Sequence, residues 1–180
     1  IIVIAVLVLL VIWGFSGYNG LVTLNENADA QWAKVETQYQ RRFDLIPNLV
    51  NATKAVLTQE QTVFGDIAEA RSHYANASNP DDKAAAASEV ESTLARLLVI
   101  VENYPQLQSA ATVRDLMTQL EGAENRVSVE RTRFNDAIRD YNTAIKRFPR
   151  NILAALTGFG ERHYFEAASD SENAPSVNFE

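Results

Sequence analysis

The sequence predicts an all-α fold, an N-terminal transmembrane helix followed by an elongated antiparallel bundle of three or four long helices. Three observations carry this. The opening stretch, Ile1 to Phe15, reads IIVIAVLVLLVIWGF and holds no charged or strongly polar side chain. Beyond Leu21, apolar residues recur at helical spacing through most of the body, with no convincing strand alternation. Glycine and proline are scarce, 7 and 5 in 180 residues, which disfavours a turn-rich all-β fold.

The apolar opening comes first. As a helix, Ile1 to Phe15 rises about 22 Å, short of a hydrocarbon core of about 30 Å. The chain begins with isoleucine, and a few residues upstream would complete a span. Trp13 and Tyr18 sit where an interfacial aromatic pair belongs. A transmembrane anchor over residues 1–17 is the preferred reading, with Ile1, Ile4, Leu7, Leu10, Val11, Trp13 and Phe15 facing lipid. Two readings compete. A cleaved signal peptide fits the short length, but Gly14-Phe15-Ser16 is a poor small-x-small cleavage site. A pilin-like N-terminus would carry an early glutamate, and residue 5 is Ala5. Lys34 is the first basic residue after the span, with Glu26 and Asp29 before it. Positive-inside logic then puts the C-terminal domain outside the cytoplasm.

The body, residues 18–160, reads as long helices. Ala28, Trp32, Val35, Tyr39 and Ile46 form one stripe. Pro47 removes an N–H and predicts a kink or restart near Ile46-Pro47. The pattern then runs through Leu49, Val56, Val63 and Ala70, flanked by Val50, Leu57 and Phe64, as far as Asn76. The run NASNPDD from Asn76 to Asp82 is a break. A second helix follows from about Asp82 to Tyr104, with Val90, Leu94, Leu97, Val101 and Tyr104 on one face, and Pro105 ends it. Thr112-Val113-Arg114-Asp115 fits a capping box at the start of the next helix. There Val113, Leu120, Val127, Phe134, Tyr141 and Phe148 recur every seven residues, interleaved with Leu116, Ala123, Glu130, Ala137 and Ala144. Small residues facing large ones suit a coiled-coil-like seam. Pro149 ends this helix. Ile152 to Leu156 predicts a short helix and Gly158-Phe159-Gly160 a turn. Residues 161–180 form an acidic tail that reads as disordered; the alternative is that Tyr164, Phe165 and Phe179 dock on the bundle or on a neighbouring copy.

The same residues narrow the chemistry. Zero cysteine excludes disulfides, thiolate metal sites and a thiol nucleophile. A net charge of −7, from 16 basic and 23 acidic residues, argues against nucleic acid as a partner. Neither histidine sits in a Glu-x-x-His pair, since residue 70 is Ala70 and residue 160 is Gly160, so no di-iron site is expected. His73, near a helix end, reads as a surface residue. Phosphate-binding glycine loops and a nucleophile elbow do not occur. No catalytic, metal or cofactor-binding residue is assigned, and the chain is read as non-enzymatic. The remaining polar candidates lie in or beside the apolar stripes: Arg41, Arg42, Asp44 and Asn48; Glu102, Asn103 and Tyr104; Glu124, Asn125 and Arg126; Arg131, Asn135, Tyr141 and Asn142. One reading makes them interhelical hydrogen bonds and ion pairs that fix register. The other makes Arg131, Asn135 and Tyr141 a polar groove for a ligand or partner segment.

These residues also carry a resemblance. The strings Tyr18-Asn19-x-Leu21-Val22, Arg41-Arg42-x-Asp44-Leu45-Ile46-Pro47-Asn48-Leu49-Val50, Glu102-Asn103-Tyr104-Pro105-x-Leu107, Glu124-Asn125-Arg126, Asn135 with Tyr141-Asn142, Phe148-Pro149, and Gly158-Phe159 with Tyr164-Phe165 together resemble the LemA family of bacterial membrane proteins. The resemblance runs from about residue 1 to 166. Phe43 and Phe134 stand where tyrosine is common in the family. The resemblance implies a single-pass protein of the bacterial cytoplasmic (inner) membrane with a long helical domain, and no established activity, cofactor or substrate. The expected partners are the lipid bilayer through the N-terminal helix, further copies of the chain in a homo-oligomer, and other membrane or envelope proteins.

Overall fold

The computed structural model describes residues 2–57 and 60–165. Its elements are α1 (Ile2–Lys54), α2 (Gln61–Asn76), α3 (Pro80–Glu102), α4 (Pro105–Ser109), α5 (Ala111–Lys146) and α6 (Arg150–Thr157). Among the described residues there is no strand. The described residues divide into two compact units, one of residues 2–45 with 116–164, the other of residues 46–57 and 60–115 with Phe165.

In the first unit α1 and α5 pack antiparallel. Their contacts run in opposite order along the two helices: Leu21 lies in one cluster with Tyr141, Ala144 and Ile145, Trp32 stacks on Phe134, Tyr39 meets Arg131 and Arg42 meets Glu124. The helical stripe Ala28, Trp32, Val35, Tyr39 is buried as the spacing predicts. So are Val127, Phe134 and Tyr141 on α5, with Ala123, Ala137 and Ala144 between them. Small residues between large ones let the backbones approach closely. The helix ends at Lys146, so Phe148, the sixth member of the heptad, lies past it and is 81% exposed. Pro149 then caps α6, an eight-residue helix closed by Gly158 in the left-handed conformation (φ 80°) that glycine adopts without strain. α6 places Leu153 and Ala154 on the Leu21 and Tyr141 cluster. Gly17 in α1 permits this, because a Cβ there would lie 2.6 Å from Leu153 Cδ1.

In the second unit α2 and α3 form an antiparallel hairpin, with Asp66 opposite Arg96 (3.4 Å) and His73 opposite Glu89 (2.9 Å). Val63, Ile67 and Ala70 are buried on α2, and Val90, Leu94, Leu97 and Val101 on α3. The predicted break is a built turn. Asn79 caps α3, its side-chain oxygen accepting from the Asp82 N–H (2.8 Å), and Pro80 takes the first helical position.

Four boundary expectations are corrected. Pro47 does not restart the helix, because α1 runs through it to Lys54. An interior proline costs about 3 kcal/mol, but Phe43, Ile46 and Leu49 beside it are buried, each worth about 1.5–3 kcal/mol. The stripe from Leu49 to Ala70 is not one helix. α1 stops at Lys54, a turn returns the Val56 and Leu57 N–H groups to the Thr53 carbonyl, and Leu57 rather than Val56 is fully buried. Thr112 does not cap α5, which has already begun at Ala111, with the Arg114 N–H on the Ala110 carbonyl (3.1 Å). Tyr104 is not on the α3 face, since α3 ends at Glu102 and Tyr104 caps α4.

Candidate functional site

The apolar end of α1 differs from every other part of the described chain. Ile4, Leu7, Val11 and Phe15 are each more than half exposed, and Trp13 is 39% exposed. α1 contains the one window among the described residues apolar enough to cross a membrane, with a mean hydropathy of 2.2 and almost no burial against the rest of the chain. Burial within the chain does not account for such a surface, which has the character of a membrane or protein contact. Two of the predicted anchor positions fall outside this description: Ile1 is not among the described residues, and the Leu10 side chain is likewise not described.

The polar residues separate into three sets. The first joins α1 to α5. Arg42 is buried and pairs with Glu124. Arg131 donates from Nε to the Tyr39 hydroxyl (2.8 Å) and from its terminal nitrogen to the same oxygen. Glu130, the polar intruder in the α5 seam, pairs with Arg133 (2.6 Å). Phe43 and Phe134, both buried, belong to the same seam: Phe43 stacks on Tyr39 and Phe134 on Trp32. Asn135 is half-buried on α5.

The second set ties the segment after α6 to both long helices. Tyr141 is buried and donates its hydroxyl to the Gly160 carbonyl (2.9 Å). Asn142, also buried, donates to the Arg162 carbonyl (2.8 Å) and accepts from the Arg162 N–H (3.0 Å). One side-chain amide thus satisfies both backbone groups of one residue. Arg162 then reaches α1, donating to Asn25 Oδ1 (3.1 Å) and Asp29 Oδ1 (2.6 Å). Lys146 pairs with Glu161 alongside (2.5 Å). Burial raises the Tyr141 hydroxyl pKa above 10, opposed by the nearby Arg162 charge. The start of the acidic tail, as far as a buried Phe165, is therefore ordered, whereas Phe179 lies outside the described residues.

The third set is exposed apart from a half-buried Tyr104. Arg41, Asn48, Asn125 and Arg126 lie on open helix faces. Asp44 accepts from Gln40 (2.8 Å). Glu102, Asn103 and Tyr104 form the turn from α3 into α4: Gln108 donates to the Glu102 carbonyl, Asn103 caps by donating to the Val99 carbonyl (3.1 Å), and the Tyr104 carbonyl accepts from Leu107 (2.9 Å).

Arg131 and Tyr141, two of the three residues of the predicted groove, are thus committed to neighbouring chain segments. A cleft lies elsewhere, between α2 and α3. It encloses about 600 Å³ over Val63, Ala95, Val99 and Ile100, with Asp66 and Arg96 at its edge. Among the described residues no three histidine or acidic side chains converge as a metal site would need. His73 lies on the hairpin surface, and its hydrogen bond to Glu89, reinforced by the Glu89 and Glu69 charges, raises its pKa above 6.5. Sequence reasoning missed Tyr39 as a polar partner, and Asn25, Asp29 and Arg162 altogether. The single local signal was that Arg162 is the only lysine or arginine among residues 161–180.

Residues 31–179 match the model of the LemA family. The match starts beyond the apolar segment and runs through the tail, so it reaches further than the resemblance to residue 166. Among characterised proteins, the chain is 30% identical over 174 residues to Magnetosome protein MamQ of Magnetospirillum gryphiswaldense, covering 82% of the chain and 64% of that protein. It is 29% identical over 175 residues to each of Magnetosome protein MamQ 1 and MamQ 2 of Paramagnetospirillum magneticum, covering 83% of the chain and 64% of each relative. The chain thus spans just under two thirds of the length of these relatives. With a family match over most of its residues, the chain belongs to the LemA family.

Proposed function

We propose that this protein is a membrane-anchored helical scaffold. The lipid-exposed start of α1, over residues 1–17, fixes it in the bacterial cytoplasmic membrane, and the bundle presents long helix faces to other copies or to other membrane or envelope proteins. The observation that carries this reading is the exposed apolar helix, which continues without a break into the packed α1 stripe. A body whose buried polar residues serve helix-to-helix contacts suits a scaffold better than an enzyme. The C-terminal domain is placed outside the cytoplasm, on the acidic flank of the span. A scaffold role is compatible with relatives named as magnetosome proteins.

Sequential washing of membranes from expressing cells tests the anchor. The protein should stay in the pellet through high salt and alkaline carbonate and leave only with detergent. Release by salt or carbonate would overturn the reading.

A further inference from the structure

α6 packs on α1 at the end of the apolar segment. Leu153 meets Gly17, and the Arg150 guanidinium lies 3.6 Å from where a Gly20 Cβ would be. Phe159, just past α6, stacks on Tyr18 (5.9 Å). Gly17 and Gly20 are two and five residues beyond Phe15, about 3 and 8 Å along the helix axis. The short helix is therefore held beside the C-terminal end of the apolar segment.

One exposed stripe of it is apolar, between the exposed polar residues Asn151 and Thr157. Leu153 and Ala154 turn inward, while Ile152 is 51% exposed and Leu156, one turn on, 78%. Phe148 before the helix is 81% exposed. These are three of the most exposed large apolar side chains outside the apolar segment, and all belong to one ten-residue stretch. Arg147 and Arg150 are exposed beside them. An apolar face flanked by arginines, held at the mouth of a span, has the composition of an interfacial helix.

We propose that α6 is a second membrane contact: Phe148, Ile152 and Leu156 sit in the headgroup boundary of an anionic bilayer, and Arg147 and Arg150 meet lipid phosphates. The contact rests on the anchor reading, because it needs α1 inserted beside it. It would clamp the base of the bundle to the surface, so that the protein holds a fixed angle to the bilayer.

The cysteine-free sequence gives a direct test. Single variants L156C, L7C and V129C of the full chain are labelled with an environment-sensitive fluorophore. They are reconstituted in vesicles of phosphatidylcholine and phosphatidylglycerol, with or without brominated acyl chains. Val129 is a 50% exposed position on α5, two residues from Arg131, which meets Tyr39 about 36 Å of helix rise beyond Phe15. Brominated lipid should quench the L156C and L7C probes about twofold or more and leave V129C unchanged, as insertion about 5–10 Å into the boundary requires. In an R147Q/R150Q background the L156C quenching should lose its dependence on phosphatidylglycerol. Quenching at L7C without quenching at L156C would overturn the α6 contact and leave the anchor standing. Loss of both signals would overturn the anchor reading and the α6 contact with it. A blue-shifted L156C probe that ignores brominated lipid would mean a second copy covers α6, which also overturns the proposal.

Discussion

Asn142 shows how much one residue can decide in this fold. Its amide satisfies both backbone groups of Arg162, and Arg162 then reaches Asn25 and Asp29 on the other long helix. Asn142→Leu keeps the branching of the side chain and strands both backbone groups. Chemical denaturation should show a loss of about 1–3 kcal/mol. Arg42 and Glu124 are unequal partners: the Arg42 side chain is 10% exposed and that of Glu124 41%. Glu124→Ala removes a counter-charge from a buried guanidinium, whereas Arg42→Met leaves a carboxylate that water can reach. The first should therefore be the more destabilising, by about 1–3 kcal/mol, and equal costs in a denaturation series would contradict the asymmetry. Individual roles of this kind were only partly legible in the sequence. Arg131 and Glu124 announced themselves as polar residues in an apolar stripe. Asn25, Asp29 and Arg162 did not, because their meeting spans more than 130 residues and leaves no local spacing to read.

The helices were largely legible and their ends were not. Val113, Leu120, Val127, Phe134 and Tyr141 are all buried, because one helix face keeps its direction over four heptads. Phe148 escapes because the helix stops first, and a seven-residue count is blind to where hydrogen bonding ends. The spacing of Leu49, Val56, Val63 and Ala70 likewise continued across a turn that carries neither glycine nor proline. Two element-level outcomes are expected. The α2–α3 hairpin is joined by His73 and Glu89. The His73 pKa is raised on folding, so this contribution is fully present below pH 6.5 and is lost as pH rises through the folded value. Amide protection factors in the hairpin, which divide out the intrinsic base-catalysed rise, should fall across that window in the native protein and stay flat in His73→Gln. At the α1–α6 contact, Gly17→Ala forces the Leu153 side chain to move. It should lower the melting temperature, and Leu153→Ala, which is destabilising alone, should cost less in the Gly17→Ala background; additive losses would show that the two do not touch.

For the molecule as a whole, composition was misleading until it was divided. The 47% apolar fraction averages an exposed apolar segment with a striped, charged body. Residues 161–180 carry Glu161, Glu166, Asp170, Glu172 and Glu180 against Arg162, or −4 of the −7 total. Positive-inside reasoning counted Lys34 as the first cation after the span, yet folding returns Arg150 to Gly20, far closer to the apolar segment. An amphiphile of this kind, with one face of its longest helix unsatisfied by protein, is expected to act in a bilayer and in company. The most direct measurement is the mass of the full chain after extraction from washed membranes in mild detergent, by light scattering corrected for bound detergent. The scaffold account predicts several chains per particle, or one chain with stoichiometric protein partners. A lone monomer without protein partners would contradict it.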